Sequence, residues 1–231
     1  MLSDLFVVVD PAKNLDRFRT YGNLPWWTSD GYRVAHWRPV ASLAHWLDYR
    51  LFPNAVWLMH LHSILWFAAV VFLVALLYRR FIDTAWIAGL ASVLYLLSED
   101  SYFPTAWLAN RNLLISLFFG IMTLIAHDRW RRDHWKPGIV TVPLCLLASM
   151  LATEGGIATF AYLFAYEAAM VTGRTSKRLL ALLPSLAVIV LWRWFYSLQG
   201  YGATGGGFYV DPVRQPLSFL AAVARRAPVF L

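Results

Sequence analysis

The sequence predicts an all-α fold, a polytopic bundle of about six transmembrane helices with an amphipathic helical segment on the outer face. Of the 231 residues, 59% are hydrophobic and 14% are charged, whereas soluble domains carry about 25% charged residues. A soluble domain of this size would need more polar residues to cover its surface. The twelve Trp residues fit the same class, because aromatic rings with a polar edge gather at membrane interfaces.

Residues 1–54 precede the first apolar segment and are too long and too aromatic for a simple connection. From Arg38 and Pro39 onwards, apolar residues recur at helical spacing. They are Val40, Leu43, Ala44, Leu47 and Leu51. This pattern predicts an amphipathic helix along the membrane surface, with Pro39 in its first turn. Because no signal peptide opens the sequence, we expect a longer protein with a further transmembrane helix upstream.

Six segments are apolar enough, or nearly long enough, to cross a bilayer, which takes about 20 residues per helix. They are residues 56–78, 84–97, 105–126, 139–152, 156–172 and 179–198. The second and fourth are short, so we expect them inside a bundle. These segments define a transmembrane domain over residues 55–199, and residues 200–231 form an outer loop with an amphipathic tail.

The connections between these segments alternate in charge, and the alternation predicts the orientation of the chain. The basic connections are residues 79–80, 127–136 and 173–178, which hold nine of the twenty Lys and Arg residues. By the positive-inside rule they are cytoplasmic, so residues 1–54 and 200–231 are periplasmic in a bacterial inner membrane. The net charge of +7 is then explained by topology and by anionic membrane lipid, and no nucleic-acid partner is expected.

Several polar residues fall where a carboxylate or a guanidinium is costly unless it is paired or hydrated. Asp100 and Glu154 lie at the outer mouths of apolar helices, and Arg111 lies about one and a half turns inside the third span. Solvation of helix ends and snorkelling to lipid headgroups are one interpretation. The other is an outward-facing polar site in which Arg111 binds an anion and Glu154 is its partner.

His60 and His62 begin the first span two residues apart, so they point to different faces of the helix and are poor joint metal ligands. Each is more simply explained as an interface histidine.

The order of these motifs resembles the GT-C class of integral-membrane glycosyltransferases, in particular the TMTC-type O-mannosyltransferases and related bacterial proteins. The segments that carry the resemblance are Asp4 followed by Phe6, Arg38-Pro39 with Leu47-Asp48-Tyr49, His60-Leu61-His62-Ser63, Trp107 to Asn112, and Ala152 to Gly156. The sequence departs from the family pattern at Leu5, Ser63, Asn112 and Thr153, where the family has an acid, Asn, Asp and Lys.

The resemblance implies a polyprenyl-phosphate-linked sugar as donor, a protein or glycan acceptor, and inversion at the sugar carbon. In that scheme Asp4 is the general base, or a ligand for a divalent metal such as Mg or Mn. Arg111 and His60 bind the donor phosphate. The pocket is oriented or lined by Glu154, Asp100, Asn112 and Arg38.

Two other functions are compatible with the same residues. One is a non-catalytic membrane protein of GT-C-like fold that serves as a scaffold in cell-surface polysaccharide assembly. The other is a transporter of lipid-linked sugars that uses Arg111 and Glu154 as a relay, although the sequence shows no convincing internal repeat.

Overall fold

The described part of the chain comprises residues 20, 33–99, 102–204, 210, 212 and 215–230 of a computed structural model. These residues form helices and one small sheet, and they divide into two units. The first unit runs from Trp37 to Phe195, and the second holds the described residues before and after that stretch.

The helices follow the order of the predicted segments, but the helix Arg111–Arg132 begins and ends six residues later than the predicted span 105–126. The α-helices up to the end of the bundle are α1 Pro39–Leu51, α2 Val56–Phe81, α3 Ala85–Leu96, α4 Tyr102–Ala106, α5 Arg111–Arg132, α6 Gly138–Ala152, α7 Thr159–Ala169 and α8 Thr175–Leu198. Short 3-10 helices, Leu108–Asn110 and Glu154–Ala158, lead into α5 and α7. The predicted helical class is therefore confirmed.

Three helices in the described part of the chain are long and apolar enough to cross a membrane. They are Val56–Phe81, Leu108–Arg132 and Thr175–Leu198. Ala85–Leu96 and Gly138–Ala152 are apolar but shorter, and the predicted span 156–172 is divided between a 3-10 helix and α7. Membrane-spanning character is thus supported by length and composition, while the count of about six spans stays a prediction.

Helix α1 begins at Pro39, whose fixed φ suits the first helical position. Its buried face carries Ala41, which packs with Ile115 and Ala152, and also Asp48. The leucines of the predicted stripe, Leu43, Leu47 and Leu51, are instead exposed. The polar residue therefore faces the protein and the leucines face outward, an arrangement that suits a helix in contact with lipid.

Helices α5 and α6 approach closely through small residues. Ser116 and Ser149 are buried, their hydroxyl oxygens lie 3.0 Å apart, and Ser149 Oγ donates to the carbonyl oxygen of Ser116 at 2.8 Å. A Cβ added at Gly120 would lie 3.6 Å from Ser149 Oγ of α6 and 2.9 Å from Thr159 Oγ1 at the start of α7. Small residues let helix backbones approach where no water drives them together, so this seam is typical of packing inside a membrane.

Helices α2 and α5 run parallel, as shown by polar contacts that join their beginnings and their ends. Arg111 contacts Ser63 at one end, and Arg80 contacts Asp128 at the other. Along each helix these positions are seventeen residues apart in sequence, a rise of about 26 Å. This length approaches the ~30 Å hydrocarbon layer of a bilayer, so the two polar clusters lie at the two ends of an apolar layer. They are called here the Arg111 end and the Arg80 end.

The second unit contains the short strands β1 Arg33–Ala35 and β2 Gly202–Thr204, which pair antiparallel with Val34 opposite Ala203. Gly202 has φ +127°, a backbone conformation that favours glycine. Tyr196 donates from its hydroxyl to the carbonyl oxygen of Ala35 at 3.4 Å. The unit also contains α9 Pro216–Phe230, a helix in the predicted tail. The sheet is an element that the sequence did not predict, because its strands are only three residues long.

Candidate functional site

The Arg111 end contains a fully buried arginine whose side chain is 0% exposed. Its Nε donates to Ser63 Oγ at 2.8 Å, and its Nη2 donates to the carbonyl oxygen of Met59 at 2.5 Å. Its Nη1 donates to Asp48 in an ion pair. Because every nitrogen of the guanidinium has a protein acceptor, Arg111 does not snorkel and is held in one position.

His62 completes this group, and its neighbours define its tautomer. Trp66 Nε1, which can only donate, lies 3.0 Å from His62 Nε2, so Nε2 must accept. The proton of the neutral ring is then on Nδ1, which donates to Asp48 Oδ1 at 2.6 Å. Asp48 is therefore a carboxylate shared by Arg111 and His62. These residues, Asp48, His62, Ser63, Trp66 and Arg111, are the Arg111 cluster.

The Arg111 cluster joins the last turn of α1 to the second and third turns of α2 and the first turn of α5. A charge buried away from water is stable only when it is paired and hydrogen-bonded. Asp48 and Arg111 are 63 positions apart in sequence, and each provides the opposite charge that the other needs. The cluster therefore fixes the position of the surface helix on the bundle.

A second ion pair at this end is open to the surface. Arg38 Nε and Nη2 donate to Glu154 Oε2 at 2.9 and 2.6 Å, and the two side chains are 30% and 24% exposed. The pair joins the residue before α1 to the 3-10 helix before α7. Unlike Arg111, Arg38 is within reach of a ligand.

His45 lies on α1 beside the Arg111 cluster. Its pKa is lowered from 6.5, first by burial and then by the positive charge of Arg111, with Asp48 acting in the opposite direction. Burial and a neighbouring cation both disfavour the charged imidazole, so His45 is held toward its neutral form.

The structure corrects the predicted roles of two residues. Glu154 is not the partner of Arg111, because Arg111 pairs with Asp48 and Glu154 pairs with Arg38. The prediction that Arg111 touches the donor phosphate does not fit this arrangement either. Its guanidinium is buried and already donates hydrogen bonds to acceptors within the protein.

The remaining predicted residues are placed as follows. His60 is partly exposed, and no described residue forms a hydrogen bond with its side chain. Asn112 is buried, and the amide orientation that satisfies its neighbours donates to the carbonyl oxygens of Asn110 and Ala109 at 3.2 and 3.3 Å. It supports the entry into α5, and its predicted place in a pocket stays a prediction. The predictions for Asp4 and Asp100 lie outside the described residues.

Asp48 is the central residue that sequence reasoning did not select as a site residue. The helical period would have separated it from the leucine stripe, because Asp48 lies four residues after Ala44 and seven after Ala41. A carboxylate on the small-residue face of an amphipathic helix indicates contact with a buried cation.

The Arg80 end contains a second polar network. Arg80 pairs with Asp128 and, at 2.8 Å, with Asp133, and Tyr166 donates from its hydroxyl to Asp128 at 2.8 Å. Glu167 is buried and lies 2.9 Å from His127 Nε2 and 2.7 Å from Arg131 Nε. The network joins the ends of α2, α5 and α7.

Two adjoining cavities open beside this network. One, of about 320 Å³, has an apolar wall, and the other, of about 490 Å³, is lined by charged side chains. Phe81, Tyr166 and Met170 line both cavities.

Within the described ranges no three His, Cys, Asp or Glu side chains are grouped as metal ligands would be, and Asp4, the residue predicted to bind a metal, is outside those ranges. Comparisons of the chain with protein-family models, with curated proteins and with solved structures found no match.

Proposed function

We propose that this chain is a multi-pass membrane glycosyltransferase that takes a sugar from a polyprenyl-phosphate donor and transfers it to an acceptor at the outer face. The observation that carries the proposal is the convergence of the motif segments at the Arg111 end. Segments around Arg38, His62, Arg111 and Glu154 are far apart in sequence, and contacts join them in two groups there.

The proposed topology has about six spans in a bacterial inner membrane, with the Arg80 end in the cytoplasm and the Arg111 end outside. The basic connections support this orientation through the positive-inside rule. The exposed stripe of Leu43, Leu47 and Leu51 supports a surface helix lying in the outer leaflet. A donor with a polyprenyl tail would approach the Arg111 end from that leaflet.

In the proposed reaction Arg38 binds the donor phosphate. A guanidinium matches phosphate geometry and stabilises the charge that develops on the leaving group. Arg38 is favoured over Arg111 for this contact because its side chain is 30% exposed, and Glu154 would share it with the phosphate. His60, on the first turn of α2, is the second candidate for this contact.

The chemical step needs a base, because a neutral hydroxyl is a weak nucleophile toward an acetal carbon. The resemblance assigns this role to Asp4, which would take the proton of the acceptor hydroxyl. The acceptor oxygen then bonds to the sugar carbon while the bond from that carbon to the phosphate oxygen breaks. The electron pair of that bond stays on the released polyprenyl phosphate.

The Arg111 cluster acts in this proposal as a positioning group. By holding α1 against α2 and α5, it sets the place of Arg38, the residue immediately before α1. Loss of the cluster is therefore expected to weaken transfer through the geometry of α1 and not through a direct contact with the donor.

One observation favours the alternative of a non-catalytic scaffold. The charges of the Arg111 cluster are satisfied by one another, as is common for groups that only stabilise a fold. The scaffold would retain the surface helix and its ion pairs but transfer no sugar.

The test is sugar transfer in proteoliposomes from a panel of labelled polyprenyl-phosphate sugars, with the upstream sequence restored where the gene provides it. We expect transfer by the wild type, loss of transfer in Asp4→Asn, and weaker donor use in Arg38→Gln. The matched control is Lys177→Gln, which removes the same single positive charge from an exposed position on α8 and should keep full activity. If the folded wild type transfers no sugar from any donor, the scaffold is the better assignment.

A further inference from the structure

The two cavities at the Arg80 end lie outside the machinery proposed for sugar transfer. The apolar cavity is lined by the end of α2, by Leu124 of α5 and by one side of α7, including Tyr162, Ala165 and Ala169. Of its polar neighbours, Tyr166 donates to Asp128 and His127 Nε2 contacts Glu167, while His127 Nδ1 is buried without a hydrogen-bond partner among the described residues. The rest of the lining is almost entirely apolar, so the cavity suits hydrocarbon.

The charged side chains of the adjoining polar cavity form two groups, those that are already in an ion pair and those that are not. Arg80 forms ion pairs with Asp128 and Asp133, and Arg131 forms an ion pair with Glu167. Arg132 donates once, to the carbonyl oxygen of Arg80 at 2.8 Å, and no described carboxylate pairs with it.

Asp83 lines the same cavity and is exposed, with no cation paired to it among the described residues. The cavity thus offers one positive and one negative charge to a ligand, beside an apolar compartment that shares three of its residues.

We propose that this pair of cavities binds one phospholipid whose headgroup carries a phosphate and a primary amine, as in phosphatidylethanolamine. An acyl chain occupies the apolar cavity, the phosphate bonds to Arg132, and the ammonium group bonds to Asp83. Arginine is suited to phosphate, and an ammonium group has three donors for a carboxylate. Basic pockets between helix ends at the cytoplasmic side are places where lipid headgroups bind.

A lipid explains both cavities, whereas a soluble phosphate would use only the polar one. Tyr162, Ala165 and Ala169 are exposed on the outside of α7, so the apolar cavity is open at the side where a lipid chain would enter. The proposal does not depend on sugar transfer, because it concerns the opposite end of the bundle.

The test is retention of added lipid by the purified full chain in detergent, measured by native mass spectrometry. The probes are phosphatidylethanolamine, phosphatidylcholine and phosphatidylglycerol. The wild type should hold one phosphatidylethanolamine about tenfold more tightly than phosphatidylcholine, whose quaternary nitrogen has no proton to donate to Asp83.

The variants separate the parts of the site. Arg132→Gln should weaken all three phospholipids, while Asp83→Asn should reduce phosphatidylethanolamine to the level of phosphatidylcholine and leave phosphatidylglycerol unchanged. Ala169→Phe fills the apolar cavity without changing a charge and should also weaken binding. The matched control is Arg129→Gln on the same helix as Arg132, because Arg129 lies over the ring of Trp135 and lines neither cavity.

Equal retention of the three lipids by the wild type and by Arg132→Gln would overturn the proposal and leave only lipid that surrounds any membrane protein. Displacement by soluble phosphoethanolamine at the same concentration as the lipid would overturn it as well, since the apolar cavity would then add nothing. Thermal unfolding of each variant shows whether it is folded, and Asp83→Asn, an exposed change, keeps the test valid if Ala169→Phe does not fold.

Discussion

At the scale of single residues, the chemistry of this chain depends on how a few charges are buried and paired. Arg111 and Asp48 are both almost completely buried and share their bonds with Ser63 and His62. Arg38 and Glu154 form a pair that water and ligands can reach. The first pair therefore bears on stability, and the second is the pair that the proposed function assigns to the donor phosphate.

Removing one member of the buried pair should cost more than removing both. Arg111→Met leaves the Asp48 carboxylate buried without its cation, and we expect a loss of about 3–5 kcal/mol. The double variant Arg111→Met with Asp48→Leu should recover much of this loss, because no buried charge remains. Thermal unfolding in one detergent, followed by tryptophan fluorescence, measures the effect. Equal losses in the single and double variants would contradict a buried ion pair.

His45 should make stability depend on pH. Its folded pKa lies below the usual 6.5, so between these two values the unfolded chain binds more protons than the folded chain. Stability is therefore full above 6.5 and falls as the pH decreases toward the lowered pKa. Melting temperatures between about pH 5 and about pH 8 should show this fall in the wild type and a smaller one in His45→Asn.

The control for that series is His134→Asn. His134 is exposed and has φ 56°, a conformation that asparagine tolerates. A pH dependence reduced equally by both substitutions would assign the effect to histidines in general and not to the buried position of His45.

At the scale of secondary-structure elements, the surface helix α1 and the α5–α6 seam show most clearly that the chain suits an apolar environment. Helix α1 turns Asp48 inward and Leu43, Leu47 and Leu51 outward. The seam brings α5 and α6 together at Ser116 and Ser149. Both features reflect an apolar environment, in which leucine gains little from contact with protein and a carboxylate needs a partner.

Gly120 tests how closely α5 packs against α6 and the start of α7. A Cβ at this position would lie 2.9 Å from Thr159 Oγ1 and 3.6 Å from Ser149 Oγ. We expect Gly120→Val to cost about 1–3 kcal/mol through overpacking. Gly89→Val on α3 is the matched control, because nothing lies within 4 Å of a Cβ there. If both variants lower the melting temperature equally, helix propensity and not packing is responsible.

At the scale of the whole molecule, the Arg111 end and the Arg80 end are separated by a layer of apolar side chains. The rise of about 26 Å between them along α5 suits the hydrocarbon layer of a membrane. Large apolar side chains are exposed along the helices between these ends, among them Phe72, Leu94 and Leu191. Such surfaces are explained by contact with lipid or another apolar surface.

Cysteine labelling tests the proposed orientation. Cys145, the single cysteine, is replaced by serine, and new cysteines are placed at Tyr49 and Lys177, both exposed. We expect a membrane-impermeant thiol reagent to label the cysteine at position 49 in intact cells. The cysteine at position 177 should react only after the membrane is opened. The reverse pattern would invert the topology.

The helical class, the order of the helices and the alternation of charge between connections could be predicted from the sequence alone. These follow from hydrophobic length and local charge, which are properties of neighbouring residues. Three features became visible only in the folded chain: Arg111 pairs with Asp48, Glu154 pairs with Arg38, and three-residue strands join residues 33–35 to 202–204. Such contacts depend on how each helix is rotated and which neighbours it meets. The two ion pairs join residues 63 and 116 positions apart, a separation over which local pattern carries no information.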